Sequence, residues 1–248
     1  MISYKTEEEI NAMKKGGTIL HEALKKAQKE IGPGITTMDL NVLIEDYILS
    51  QGAEPGFKKV HGYHWASCIC VNEQIVHTPP SDRVINEGDV VTIDAGVFYS
   101  GMHTDSAVTV SVGTPNTEVG LFLEAGQRAL KKAITQARVG KRVGNISLAF
   151  QEEIEKSNYS IVYELTGHGV GSELHEDPFI PCYIDKPIMK THLLENGMTL
   201  ALEVMYAMGK GEIAYENDGW SIRTSDDSIA ACFEHTIALT KNTTLILT

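Results

Sequence analysis

The segment HEALKKAQKEIGPG at residues 21–34 returns as QRALKKAITQARVG at residues 127–140, a constant offset of 106 that continues without a gap to Ile48 and Ile154. The shared ALKKA is weak by itself, because alanine, leucine and lysine suit any exposed helix. The matched Gly34 and Gly140 carry more weight, as do the paired apolar positions Leu40/Ile146, Val42/Leu148 and Ile44/Phe150. A chain that repeats itself in this way is built from two like halves. Each half supplies two helices followed by antiparallel strands, which predicts an α+β architecture whose halves share one sheet system with the helices outside it. The halves span about residues 1–112 and 113–248, and no low-complexity linker divides them, so the 248 residues read as a single domain.

Local signals place the elements. Thr6 with Glu9, and Thr36 with Asp39, have the spacing of capping boxes at the starts of two helices, separated by Gly32-Pro33-Gly34. From about residue 67 to 112 the pattern changes to β-branched and alternating residues, and strands are predicted again at 161–165, 198–206, 228–240 and 243–247.

Four carboxylates interrupt these apolar strands: Asp94 in VVTID, Asp105 in HTDSAVTV, Glu203 in MTLALEV and Glu234 in CFEHTIAL. An ionised, unpaired carboxylate in a core costs several kcal/mol, roughly, even after relaxation. Few lysines or arginines lie in these runs, whereas His168 is on offer in the glycine-flanked GHGVG that follows the run at 161–165. A hairpin turning at Tyr99-Ser100 predicts Asp94 and Asp105 directly opposite each other, a repulsive pair unless a cation lies between them. Taken singly, either aspartate reads as an edge or turn residue, and Glu203 equally well as half of a buried ion pair. Taken together with His168, they form an oxygen-rich ligand set suited to Mn, Fe, Co or Zn. Four carboxylates exceed the charge of one divalent ion, and two ions about 3.5–4 Å apart balance them, which predicts a two-metal hydrolytic centre.

The net charge of −12, from 33 acidic and 21 basic residues, disfavours a nucleic-acid backbone or an anionic membrane as partner, and bound cations offset part of it. The basic pairs Lys58-Lys59 and Lys131-Lys132 are too short to support docking on a ribosome. Cys68, Cys70, Cys182 and Cys232 contain no C-x-x-C pair, so a thiolate zinc site is not expected. The start, MISYKTEEEI, lacks a basic segment followed by an apolar one, and no run of about 18 apolar residues occurs, so a soluble cytoplasmic protein is expected.

In order, Asp94, Asp105, His168, Glu203 and Glu234 resemble the five metal ligands of the type I methionine aminopeptidases, of the creatinase-like "pita-bread" metallopeptidase fold. The words VNEQIVH, GDVVTIDAGVFYSGMHTDSAVT, TGHGVGSELHEDP, NDGW and EHT are similar to that family's signatures, and the likeness spans essentially the whole chain. The resemblance implies two helix-plus-hairpin halves related by a pseudo-two-fold axis. It implies that Asp94 chelates one ion, that Asp105 and Glu234 bridge two, and that His168 and Glu203 complete the second. It further implies that a metal-bridging hydroxide attacks the carbonyl after the first residue, with Glu203 as general base, His175 steadying the oxyanion and His77 contacting the scissile amide. Phe57, Tyr63, Cys68, Leu174 and Trp220 fall at positions resembling the pocket for the first side chain. The implied activity is removal of N-terminal methionine from nascent chains with a small second residue, by a monomer. The alternatives are an exopeptidase of the same fold with another first-residue preference, such as Xaa-Pro, or a non-catalytic binding protein. Departures from the family pattern fall in the substrate cleft: His77-Thr78-Pro79-Pro80 replaces a Gly-Ile-Pro continuation, the 57–65 segment is altered, Leu174 replaces an aromatic residue, and Phe57 an often small one.

Overall fold

The computed structural model describes residues 2–248. Helix α1, Glu7–Glu30, starts at the predicted box: the Glu9 N–H donates to Thr6 Oγ1 at 3.2 Å and the Thr6 N–H to Glu9 Oε2 at 2.7 Å. Glu7, Glu8 and Glu9 all face the positive end of the helix dipole. Helix α2, Thr37–Ser50, opens with the same device on Thr36 and Asp39. Helix α3, Thr117–Gln136, is capped by Asn116, and α4 covers Val143–Lys156. Helices α2 and α4 are 14 residues each and start at 37 and 143, keeping the offset of the sequence repeat.

The strands are β1 (Glu54–Pro55), β2 (Ser67–Val71), β3 (Gln74–Val76), β4 (Val90–Tyr99), β5 (Met102–Ser111), β6 (Ser160–Ile161) and β7 (Thr166–Gly169). After them come β8 (Glu176–Pro181), β9 (Thr199–Ala207), β10 (Ile213–Tyr215), β11 (Ile222–Thr224), β12 (Ala230–Leu239) and β13 (Thr244–Ile246). One sheet runs β1-β4-β2 with β5 also on β4; a second runs β13-β12-β9-β7-β8 with β6 on β9; a small third runs β10-β11-β3. All pairings are antiparallel. One apolar cluster, with Leu20, Leu40, Ile44 and Ile93, lies under α1 and α2; another, with Phe122, Phe150, Leu202 and Phe233, lies under α3 and α4.

Two sequence expectations need correction. The β4–β5 hairpin turns at Ser100-Gly101, one residue later than predicted, with φ of 51° and 85°. A type I′ turn needs positive φ at both central positions, and Tyr99 is ill suited to one of them. Asp94 therefore faces Ala107, and Asp105 faces Gly96. Because the pairing moves by two residues, both aspartates stay on one face as diagonal neighbours. The 161–165 run is also not a strand: only Ser160–Ile161 pairs with β9, and the chain turns outward at the exposed Tyr163 and Glu164. His168 sits within the short strand β7.

The two larger sheets meet where β5 lies along β12, and hydroxyl groups join them. The Thr236 hydroxyl donates to the Asp105 carbonyl and accepts from the Asp105 N–H, both at 2.8 Å. Thr109 makes the same two-way link to the backbone of Cys232, and Ser106 Oγ donates to the Glu234 carbonyl at 2.9 Å. No helix of the described residues is long and apolar enough to cross a membrane.

Helix α3 reaches the sheets through a glycine. A Cβ on Gly126 would lie 2.5 Å from the Tyr206 hydroxyl and 2.6 Å from the Phe233 ring, both buried, whereas one on Gly120 would meet nothing within 4 Å. Alanine gains about 1 kcal/mol of helix propensity over glycine at either site, but overpacking costs about 1–3 kcal/mol. Gly120→Ala is therefore expected to raise stability and Gly126→Ala to lower it, which urea unfolding of the two variants checks.

Candidate active site

The seam of the two sheets carries the carboxylates. Glu203 on β9 and Glu234 on β12 are directly opposite partners, and His168 on β7 pairs with Ala201, two residues from Glu203 and on the same face. Asp94 and Asp105 arrive from β4 and β5. The Asp105, His168 and Glu234 donor atoms lie within 4.8 Å of one another, and His168 Nε2 is 3.7 Å from Glu203 Oε1. Asp105, His168 and Glu234 are buried, while Asp94 and Glu203 are partly so.

The electrostatics of this cluster fit a cation. Among the described residues no lysine or arginine forms an ion pair with any of the four carboxylates. Asp94 Oδ1, Asp105 Oδ1 and Glu234 Oε1 are buried without a hydrogen-bond partner. Burial first, then repulsion by neighbouring carboxylates, raises Asp94, Glu203 and Glu234 well above the usual carboxylate range. Burial pushes Asp105 up to about 7, tempered by the hydrogen bonds it accepts from the Ser106 backbone and from the Asp94 carboxyl. His168 is driven down to about 3, by burial and then by the adjacent His175. A neutral imidazole has one donor nitrogen, and the Gly169 carbonyl, 2.8 Å from Nδ1, claims that hydrogen. The Nε2 lone pair is thereby left facing the carboxylates, the arrangement expected of a metal-ligating histidine. Orphaned oxygen acceptors around a pre-oriented imidazole match the preferences of a divalent ion.

A cavity of about 120 Å³ opens from this cluster. It is lined by all five predicted ligands, by His77 and His175, and by Phe57, Tyr63, Cys68, Leu174 and Trp220, so every predicted site residue meets in one place. The last five form an apolar chamber. Tyr63 makes edge contacts with Phe57 (6.4 Å between centroids) and Trp220 (5.0 Å), and its hydroxyl donates to the Ser67 carbonyl at 2.9 Å and lies 3.1 Å from Cys68 Sγ. Gly96 is required because the Phe57 ring lies 2.9 Å from where a Cβ would stand. Val60 and Val76 also line the cavity and were missed in the sequence, where an isolated valine carries no chemical signal. His77 and His175 have exposed surface at its mouth, and desolvation in the cleft lowers both imidazoles below their ordinary range. His77 holds a positive φ of 62°, uncommon for a residue other than glycine, and the His175 ring centroid is 4.4 Å from that of His168. All four cysteines are buried free thiols.

A carboxylate and imidazole cluster at a sheet seam, beside an apolar chamber, defines a metal-dependent hydrolase, here of the pita-bread fold. The chain belongs to the metallopeptidase family M24, whose sequence profile matches residues 11–241. It is 40% identical over 248 residues to methionine aminopeptidase 1 of Bacillus subtilis, covering 100% of this chain and 99% of that one. It is 37% identical over 243 residues to the methionine aminopeptidase of Borreliella burgdorferi, covering 98% and 96%. The crystal structure of methionine aminopeptidase from Thermotoga maritima superposes with a TM-score of 0.96 at 39% identity, covering 100% and 99% of the two chains. The prolidase from Pyrococcus furiosus shares the fold at a TM-score of 0.80 and 25% identity, with 98% of this chain covering 64% of that one.

If the carboxylates are held together by cations, removing one charge has opposite effects with and without metal. Metal-free Asp94→Asn is expected to melt above metal-free wild type, because one repelling carboxylate is gone. With Mn at a hundredfold over its dissociation constant, binding adds about 2.7 kcal/mol to the wild type and less to the variant, and the order reverses. Scanning calorimetry with and without Mn reads this directly; two curves that never cross contradict it.

Proposed function

We propose that this chain is a methionine aminopeptidase, a metal-dependent cytoplasmic enzyme that removes N-terminal methionine from peptides and nascent proteins with a small second residue. The carrying observation is the small apolar chamber of Phe57, Tyr63, Cys68, Leu174 and Trp220 opening onto the carboxylate cluster. A chamber of this kind suits the first side chain of a peptide whose terminus meets the carboxylates. An unbranched, polarizable thioether fills an irregular aromatic and sulfur-lined space of this kind well. The 39% identity and TM-score of 0.96 with a methionine aminopeptidase, against 25% and 0.80 with the prolidase, support this over the Xaa-Pro reading. The full ligand set argues against a binding protein without catalysis.

Two divalent ions are the expected cofactors, which Asp94, Asp105, His168, Glu203 and Glu234 would hold. When bound, they supply Lewis-acid polarisation of the scissile carbonyl and a nucleophile acidic enough to form at neutral pH. The rest falls to side chains. Glu203, whose proton affinity burial has raised, takes up the proton released on attack and delivers it to the departing amine. His175, neutral in the cleft, donates an N–H to the carbonyl oxygen as it gains negative charge. His77, at the opposite lip, hydrogen-bonds the scissile amide and fixes the peptide's direction. The apolar chamber excludes water from the first side chain. We further read the chain as one catalytic domain built from an internal repeat, with the ligands drawn from both halves.

A peptide panel followed by mass spectrometry tests this reading after reconstitution with Mn, Fe, Co or Zn. Met-Ala and Met-Gly peptides should lose methionine, while Met-Lys and N-acetylated peptides should not. Glu203→Gln should lose about 10²–10⁴ in kcat, and His175→Ala about 10²–10³. Preferential release of alanine or phenylalanine would sink the methionine assignment.

A further inference from the structure

The segment Gly171–Glu176 joins β7 to β8 and carries two residues of the site, Leu174 and His175, although half of it is exposed. Its shape depends on Glu176. One carboxylate oxygen accepts from Ser172 Oγ at 3.2 Å and from the Glu173 N–H at 3.3 Å, while the Gly171 N–H donates to the Glu173 carbonyl at 2.9 Å. The other carboxylate oxygen accepts from the Lys5 ammonium. That ion pair is unusual for this chain: the side chains are only 2% and 8% exposed, whereas the other lysine and arginine pairs among the described residues each include a side chain at least 31% exposed.

Lys5 is itself well anchored. Its backbone N–H donates to the Gly197 carbonyl at 2.7 Å, just ahead of β9, and Thr6 beside it caps α1. Its stem crosses directly over Gly171, where a Cβ would lie 2.1 Å from Lys5 Cε and 2.7 Å from Glu176 Oε1. Gly171 is in turn tied to β5, since its carbonyl accepts from the His103 N–H at 2.6 Å, two residues before Asp105. One buried cation from the N-terminal segment thus sets a loop whose other contacts reach the carboxylate-bearing strand.

From these contacts we propose that Lys5 is a positioning residue: through Glu176 it fixes the Gly171–Glu176 loop and thereby aims His175 at the substrate. This rests on the role given above to His175. Without the ammonium, the Glu176 carboxylate remains in a nearly dry site with only two weak donors. A buried charge so stranded pulls toward solvent, and the loop it organises moves with it. The change falls on a residue that strengthens its contact only in the transition state, so kcat bears the loss.

The test uses the full chain with Mn, in a cycle of wild type, Lys5→Met, His175→Ala and the double variant, with Gly171→Ala as a second way to displace the Lys5 stem. Lys5→Met and Gly171→Ala should each lower kcat about tenfold with KM changed by less than about threefold, and neither should cost anything further in the His175→Ala background. Lys5→Arg should recover part of the loss. Amide hydrogen exchange on the metal-free protein gives a readout independent of activity: protection should fall in 171–176 and stay unchanged in β9 and β12. Equal losses in the presence and absence of His175, or unchanged exchange in 171–176, overturn the proposal. If the wild type releases no residue from any peptide, the aminopeptidase reading fails, and the exchange experiment alone decides whether Lys5 sets the loop.

Discussion

The fold depends on a seam that backbone pairing does not make. Strands β5 and β12 belong to different sheets, and Thr236, Thr109 and Ser106 bridge them by inserting hydroxyls into the partner's backbone. A hydroxyl can donate and accept at once, so a single threonine satisfies a buried N–H and a buried carbonyl of the same residue. Thr236 does this for Asp105, which fixes one carboxylate from the first half against Glu234 from the second. The helix pairs, each over its own apolar cluster, back the two sheets and leave this junction between them.

That junction concentrates unfavourable charge. Glu203 and Glu234 face each other as direct cross-strand partners, and Asp94 and Asp105 are diagonal neighbours on the adjoining hairpin. Like charges so placed are destabilising, and their depth removes most solvent screening. Two effects therefore compete: the apolar packing of two clusters draws the seam shut, while four carboxylates oppose closure. Shared protons relieve part of the repulsion in the metal-free protein, and divalent cations relieve more of it. The same depth that makes the site costly gives it chemical use, because donors and acceptors there act in a low dielectric.

Much of this could be read from the sequence, for identifiable reasons. The capping boxes at Thr6 and Thr36 were plain because their chemistry is local and three residues long. The convergence of Asp94, Asp105, Glu203 and Glu234 could be anticipated because each violates the apolar pattern of its own strand, whereas His168 was marked only by its flanking glycines and the family resemblance. The hairpin register could not be read with certainty, since it rests on whether Tyr99 or Gly101 occupies a positive-φ position. The 161–165 run misled because its alternation is that of a strand, yet Tyr163 and Glu164 turn to solvent. Val60 and Val76 carried no signal, because a pocket wall differs from a core only in what it faces. The Lys5–Glu176 pair joins residues 171 positions apart, a contact only the folded chain reveals.

The central claim, that the buried carboxylates exist to hold two cations across the seam, is tested most directly by calorimetric titration of Mn into the metal-free protein. The account predicts two equivalents per chain for the wild type, loss of one in His168→Ala, and loss of both in Asp105→Asn, whose carboxylate the two ions would share. A wild type that binds no divalent ion, or an Asp105→Asn variant that still takes up two, would contradict it.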